Sequence, residues 1–401
     1  MAARWRWAPT CGSSATDLEI HRSVRGHIVA DASTPRCGED RVMTSMWDTD
    51  DLTWAQEWFA HNHKEAEPPF AFERITGGRS NLTYCIVDAE GRRYVLRRPP
   101  LSGVLPSAHD VGREFRVMRA LRGSRVPVPQ VIGQGRAPGG VPFYVMHYVD
   151  GLVMRGAEQT RAELSPQLRR MAASSMIDVL VTLHGLTPRS VGLADLGRGS
   201  GFLARQVVRW YDQWSASMIV DRPIVAAIHD RLQERMPNED EVCLVHGDYR
   251  LDNVLLDPGT GEVVAVVDWE LSTLGDPLVD LAVLLVYWSQ PNDAEVPLGD
   301  APTLAEGFPT RVELARWYGE RSGRSLDEFD VYLAFAQWRL ALVLEGIAAR
   351  RRAGAYGDVE AGVPPVEHEA RVAWLLDCSA NLLGMAPDEI RRSARPDSTS
   401  G

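Results

Sequence analysis

The pattern of this chain changes character once, near Gly151. Before that point, short runs of β-branched and aromatic residues alternate with glycine turns. After it, long stretches carry apolar residues at helical spacing. Strands grouped ahead of helices predict an α+β, bilobal chain, with a small antiparallel β-sheet lobe and a larger helical lobe. At 401 residues the chain is long enough to give each lobe a core.

Residues 1–45 show no sustained periodicity and read as a disordered extension. The first convincing helix is Asp51 to Asn62, with Leu52, Trp54, Trp58 and Phe59 as its apolar stripe. Strands follow at Phe70 to Ile75, Leu82 to Val87 and Arg93 to Arg98, then a helix at Val111 to Leu121. Two more strands, Val128 to Gly133 and Phe143 to Val149, close a first lobe over 46–149. The second lobe, 150–390, has predicted helices at Pro166 to Leu186, Gly201 to Ser217, Leu278 to Trp288, Val312 to Glu320, Leu326 to Arg352 and Val366 to Leu383. A short helix from Ala386 grades into a polar tail over 391–401. The chain has no internal repeat.

Composition removes several function classes. The formal net charge is −11 and no basic patch dominates, so neither nucleic acid nor an anionic membrane is an expected partner. Lys64 is the only lysine, against 42 arginines, and it lies outside any G-x-x-x-x-G-K-[ST] loop, which rules out P-loop chemistry. Five cysteines (Cys11, Cys37, Cys85, Cys243, Cys378) lack C-x-x-C spacing and read as free thiols. The apolar run Leu281 to Trp288 is too short to span a bilayer, and the N-terminus has no apolar signal core, so a cytoplasmic protein is expected.

The chemistry concentrates in His246-Gly247-Asp248-Tyr249-Arg250-Leu251-Asp252-Asn253 and in Asp268-Trp269-Glu270. H-G-D-x-x-x-x-N followed by a hairpin and an Asp is the kit of a kinase-type phosphoryl-transfer site. Asp248, in a loop after the strand Val242 to Val245, can take the proton of an attacking hydroxyl. The hairpin Val254 to Leu256 and Val263 to Val267 turns at Asp257-Pro258-Gly259-Thr260-Gly261 and brings Asn253 toward Asp268. Two such oxygen ligands suit magnesium, which keeps waters and phosphate oxygens in its shell. An isolated loop Asp is usually a turn or cap residue; the order of three such side chains argues for chemistry here.

Other positions are weighed the same way. His246, beside a buried strand, reads as a loop-shaping hydrogen-bonding residue rather than a base. Arg250 either neutralises charge on the transferred phosphate or is an exposed arginine. Gly77-Gly78-Arg79-Ser80-Asn81 joins two strands and can bring backbone amides close to phosphates, although many hairpins look alike. Val95 and Arg97 share one strand face, so Val95 lines an adenine pocket while Arg97 reaches phosphates with Glu114 as its ion-pair partner. Arg93 and Arg98 read as surface salt-bridging residues.

These motifs resemble the aminoglycoside phosphotransferase / choline-kinase-like family, a branch of the protein-kinase-like fold. The resemblance spans about residues 70–385 and is strongest at 241–288. It implies ATP and Mg2+ as cofactors and a small-molecule hydroxyl as acceptor. It makes Asp248 the base, Asn253 and Asp268 the metal ligands, and Asp280 the carboxylate that buttresses the catalytic loop. The strand carrying Met146 and Tyr148 becomes the hinge that holds adenine by its backbone. Two positions depart from the family: its nucleotide lysine is here Arg97, and Glu270 stands where protein kinases have the glycine of D-F-G. Val95 to Pro100, Leu105 to His109 and Phe143 to Met146 resemble the branch fused to acyl-CoA dehydrogenase domains, which implies a hydroxyacyl-CoA acceptor. Arg350-Arg351-Arg352 either meets such an acceptor's phosphates or complements a helix dipole. An antibiotic phosphotransferase and a nucleotide-binding pseudokinase are the alternatives.

Overall fold

The computed structural model describes residues 52–75, 81–99, 110–218, 220–237, 241–352 and 365–386. The extension at 1–45, the tail at 391–401, the glycine turn at 76–80 and the segment 100–109 lie outside the described residues. So does nearly all of the helix expected from Ala386.

Helix α1 (Thr53–Asn62) precedes a five-stranded sheet. Its strands are β1 (Ala71–Ile75), β2 (Leu82–Val87), β3 (Arg93–Arg98), β4 (Val131–Arg136) and β5 (Pro142–His147), in the order β1-β2-β3-β5-β4, every neighbour antiparallel. Helix α2 (Val111–Leu121) lies between β3 and β4 in the chain. Because side chains alternate along a strand, the sheet has two different faces. Tyr84, Ile86, Tyr94, Leu96, Phe143 and Val145 pack against α1 through Ala55 and Phe59. Val95, Tyr144 and Met146 turn the other way, into the core shared with α2 and the helical half.

The same alternation corrects one expectation. Arg98 lies on the face of Tyr94 and Leu96 and is only 4% exposed, over the Tyr84 ring at 5.8 Å. Arg93, in contrast, pairs with Asp150 near the surface. β4 begins three residues later than predicted. Pro129 has no N–H to give to a ladder, so pairing starts beyond it. Gly135 is required here, since a Cβ would sit 2.8 Å from the Phe143 ring.

The second half holds α3 (Ala157–Glu163), α4 (Pro166–His184), α5 (Phe202–Ser217) and α6 (Pro223–Glu234). Two small antiparallel ribbons follow: β6 (Cys243–Val245) with β9 (Thr273–Gly275), and β7 (Val254–Leu256) with β8 (Val263–Val266). α7 (Leu278–Tyr287), α8 (Arg311–Ser322), α9 (Phe329–Arg352) and α10 (Pro365–Leu382) complete it. Caps set several ends. Ser165 accepts from the Leu168 amide at 3.3 Å before α4, and Thr310 with Glu313 forms a capping box on α8. α3, α6 and β9 add to the elements expected from pattern, and Val225, Ile228 and Leu232 of α6 are buried at helical spacing. By length and composition α9 could cross a membrane, but 72% of its apolar window is buried inside the fold.

The two halves are stitched by backbone. The Val266 amide donates to Pro127 O of the first half at 2.9 Å, and just past the boundary Leu152 and Leu256 exchange N–H···O bonds of 2.8 and 2.9 Å. The β7–β8 ribbon is thereby fixed beneath the sheet.

Candidate active site

The loop from His246 to Asn253 is held from behind by Asp280 near the start of α7. Its two carboxylate oxygens accept the amides of His246 at 2.6 Å and Gly247 at 2.7 Å. His184 adds a third contact through Nε2 at 3.2 Å, and His184 Nδ1 meets the Tyr318 hydroxyl at 2.8 Å. Burial alone would raise the Asp280 carboxyl, but the hydrogen bond and charge of His184, with His246 nearby, hold it below its ordinary value. Gly247 has φ +85°, and a Cβ there would stand 2.7 Å from Leu271 O, so only glycine lets the loop turn this tightly.

His246 is fully buried and does the structural work expected of it. Nε2 contacts Val267 O at 3.0 Å, and Nδ1 accepts the Asp248 amide at 3.2 Å. Those partners require the Nε2–H tautomer. The Trp269 ring packs on the imidazole with centroids 4.6 Å apart.

Asp248 therefore projects from a fixed backbone. Asn253 Nδ2 donates to Asp248 Oδ2 at 2.9 Å and to Asp248 O at 2.8 Å, which points the Asn253 carbonyl oxygen the other way. Arg250 Nε reaches Asp248 Oδ2 at 3.3 Å, and its Nη1 reaches Asp252 at 2.9 Å. Arg250 is not an exposed arginine: its side chain is 20% accessible and lies over the Tyr287 ring at 4.7 Å. Burial pushes the Asp252 carboxyl up, with Arg250 pulling the other way. Tyr287, unremarked in the sequence, is raised to about 12 by burial and by Asp248.

The hairpin does what was expected of it: the Val267 amide donates to Asn253 O at 3.0 Å, setting Asn253 beside the start of the Asp268 turn. Asp268 adopts φ 69° and ψ 54°, the left-handed region, and is the one non-glycine residue with positive φ among the described residues. Such a conformation costs about 1–3 kcal/mol and marks functional turns.

Arg97 and Glu114 meet as predicted. Arg97 Nε lies 3.2 Å from Glu114 Oε1, at ion-pair distance without hydrogen-bond geometry, and Nη2 donates to Asp268 Oδ1 at 2.5 Å. Glu114 is fully buried, which pushes its carboxyl up to about 7 against the pull of Arg97. Burial works against charge on Arg97 too, yet Glu114, Tyr144 and Asp268 hold its guanidinium firmly protonated. The Tyr144 hydroxyl donates to Glu114 Oε2 at 3.1 Å. Tyr144 stands opposite Arg97 in the β3–β5 register, a relation visible only once strand pairing is known.

Other placements differ from expectation. The Asn81 side chain does not face outward: its Nδ2 donates to Glu114 Oε1 at 3.0 Å and Glu270 Oε2 at 3.3 Å. Gly77, Gly78 and Ser80 lie outside the described residues. Val95 is 6% exposed, packed in the core with Met146 opposite it. The Tyr148 amide donates to Arg93 O at 3.1 Å because the ladder runs one residue past β5, and its ring lies under Arg93 at 4.3 Å. The Tyr148 N–H is thus taken by the sheet, and Met146 lies within the β3–β5 ladder opposite Val95.

Glu114, Asp268 and Glu270 offer carboxylate oxygens all within 4.8 Å of one another. Hard oxygen donors of this kind suit magnesium. Buried Asn81 Oδ1 has no hydrogen-bond partner, which leaves an acceptor beside the same group. The residues thus fit a divalent cation.

Comparison with known proteins agrees with this geometry. The family model described as "Phosphotransferase enzyme family" matches residues 71–317. Acyl-CoA dehydrogenase family member 10 of Mus musculus is 34% identical over 313 residues, 76% of this chain and 29% of that protein. The chain spans only about a third of the length of the curated relatives it matches. The crystal structure of a putative aminoglycoside phosphotransferase from Ralstonia eutropha superposes with TM-score 0.69 at 30% identity, covering 82% of this chain and 97% of that one. The GDP complex of aminoglycoside 2'-phosphotransferase-IIIa shares the fold, with TM-score 0.53, 17% identity and coverage of 83% and 99%. With its α+β bilobal architecture, the chain belongs to the phosphotransferase enzyme family.

Proposed function

We propose that the chain transfers the γ-phosphate of ATP to a hydroxyl of a small molecule, with magnesium. The observation that carries this is Asp248, oriented by Asn253 and Arg250 on a loop clamped by Asp280, across from the Arg97–Glu114–Asp268 group. Residues 46–149 act as the nucleotide lobe and 150–390 as the acceptor lobe of a cytoplasmic enzyme.

Asp248 accepts the acceptor's hydroxyl proton as that oxygen bonds to phosphorus and the bond to the diphosphate breaks. Asn253 and Asp268 hold the metal, joined by Glu270, which sequence reasoning left out. When bound, magnesium neutralises charge on the phosphate oxygens. Arg97 takes the phosphates in place of the family's lysine, and Arg250 steadies the charge beside Asp248. The acceptor we favour is a hydroxylated acyl-CoA or related metabolite, a reading supported by the likeness to acyl-CoA dehydrogenase family member 10.

Replacing Asp248 by Asn keeps the shape and removes the base. Turnover should fall at least 100-fold, the low end for a positioned base, while thermal stabilisation by ATP·Mg persists. A near-normal rate in that variant would remove Asp248 from the reaction.

One observation favours a second reading. Arg97 Nη2 binds Asp268 Oδ1 at 2.5 Å, on the carboxylate a metal needs. A nucleotide-binding pseudokinase would show an ATP·Mg thermal shift and no transfer to any hydroxyacyl-CoA, choline-like alcohol or aminoglycoside. For the antibiotic reading, cells expressing the chain should gain no aminoglycoside resistance.

A further inference from the structure

Most arginines around the site have carboxylate partners: Arg97 has Glu114 and Asp268, and Arg250 has Asp248 and Asp252. Three arginines on the other side of the catalytic loop are different. Arg339 of α9 donates Nη1 to Gly247 O at 2.9 Å, one residue from Asp248, and lies over the Trp210 ring of α5 at 5.1 Å. Arg113 of α2 donates Nη1 to Ser272 O at 2.8 Å and Leu196 O at 3.3 Å, and its nearest carboxylate oxygen, on Asp110, is 3.8 Å from Nε. Arg209, beside Trp210 on α5, is exposed and has no hydrogen-bond or ion-pair partner among the described residues.

Resting on the kinase reading above, we propose that Arg209, with Arg339 and Arg113, forms an anion-binding subsite beside the catalytic loop. The acceptor therefore carries an acidic oxygen group, a carboxylate or a phosphate, as well as its reacting hydroxyl. The three come from α5, α9 and α2: Arg209 is next in the chain to Trp210, whose ring Arg339 covers, and Arg339 and Arg113 are the charges that bear on it. Three like charges with only the Asp110 carboxylate, 3.8 Å from Arg113, to offset them are disfavoured until an anion arrives, and a guanidinium fork fits carboxylate and phosphate oxygens equally. In a chain of net charge −11 this is a local reversal of sign. It sits beside the catalytic loop, because Arg339 binds Gly247 O, next to Asp248. A polycationic antibiotic would be repelled there.

The test uses the 401-residue chain with ATP·Mg and acceptor pairs that share one carbon skeleton. Hydroxy acids are set against their methyl esters, and hydroxyacyl-coenzyme A against the same acyl group on uncharged N-acetylcysteamine. Product is measured by mass spectrometry. The anionic member of a pair should be preferred, and the pair that shows it identifies carboxylate or coenzyme phosphate as the source. Arg209→Ala should raise KM for that acceptor roughly 10- to 100-fold, the range for a charged hydrogen bond, and Arg209→Glu should raise it further. KM for ATP and for the neutral partner should move far less. Arg209 is exposed, so both variants should fold. Equal or better use of the neutral member, or an unchanged KM in Arg209→Glu, overturns the subsite and leaves the kinase reading intact; ATP·Mg binding with no transfer to any acceptor favours the pseudokinase and removes the subsite with the kinase reading. Absence of ATP·Mg binding removes that reading, and the subsite with it.

Discussion

Removal of the Asp280 carboxylate tests the architecture of the loop more directly than any change to the loop itself. In Asp280→Ala the amides of His246 and Gly247 and the imidazole of His184 lose a common, fully buried acceptor. Breaking a buried charged group away from its donors costs about 3–5 kcal/mol. On a chain of this size each kcal/mol moves Tm by about 2 °C, so Tm should fall by about 6–10 °C. Activity should fall as well, because Asp248 directly follows the released Gly247.

The pH dependence carries a sign. The folded-state carboxyl titrates below its ordinary value of 3.8. Its contribution is therefore complete above that value and is lost as pH falls through the depressed folded value. Urea unfolding followed by tryptophan fluorescence should show a full gap between wild type and Asp280→Asn at pH 6, narrowing below pH ~4. A loss under about 1 kcal/mol in Asp280→Ala, or a gap that widens in acid, would refute the clamp.

Other outcomes follow from the same geometry. Arg97→Ala should weaken ATP binding about 10- to 100-fold in calorimetric titration, and Arg97→Lys should recover most of it; equal affinity in all three proteins would take Arg97 off the phosphates. Gly247→Ala should cost at least ~2 kcal/mol, because an alanine Cβ adds left-handed strain and a collision with Leu271 O, and an unchanged unfolding midpoint would count against the tight turn. Glu270→Gln should raise the magnesium concentration needed for half-maximal rate; an unchanged requirement would leave the metal to Asn253 and Asp268.

What the sequence revealed was whatever is local or periodic. The alternation of Val95 and Arg97, with Glu114 at the buried spacing of α2, was enough to pair them. The order of Asp248, Asn253 and Asp268 announced the reaction type. What stayed hidden depends on pairing between distant segments. Asn81 binds Glu270, 189 residues away, so its engagement with carboxylates had no local signal. The hinge needed the strand register, because one extra ladder bond decides that the Tyr148 N–H belongs to Arg93. Arg339 reaches Gly247 from 92 residues downstream, and Tyr287 looked like the end of an apolar helix. Arg98 is buried against expectation because nothing local tells which face of a strand a helix will close.

That closing helix has a practical consequence. The family match covers 71–317, whereas α1 ends at Asn62 and α9 and α10 lie beyond 317. A fragment trimmed to the match would present Tyr84, Ile86, Tyr94, Leu96, Phe143 and Val145 to water on one side. On the other it would lose the helix pair in which Val372, Leu375 and Leu376 are buried. Exposed apolar surfaces of that extent associate, so the smallest fragment to express well should start before Thr53 and run past Leu382. Recognition in sequence and independence in solution have different boundaries in this chain.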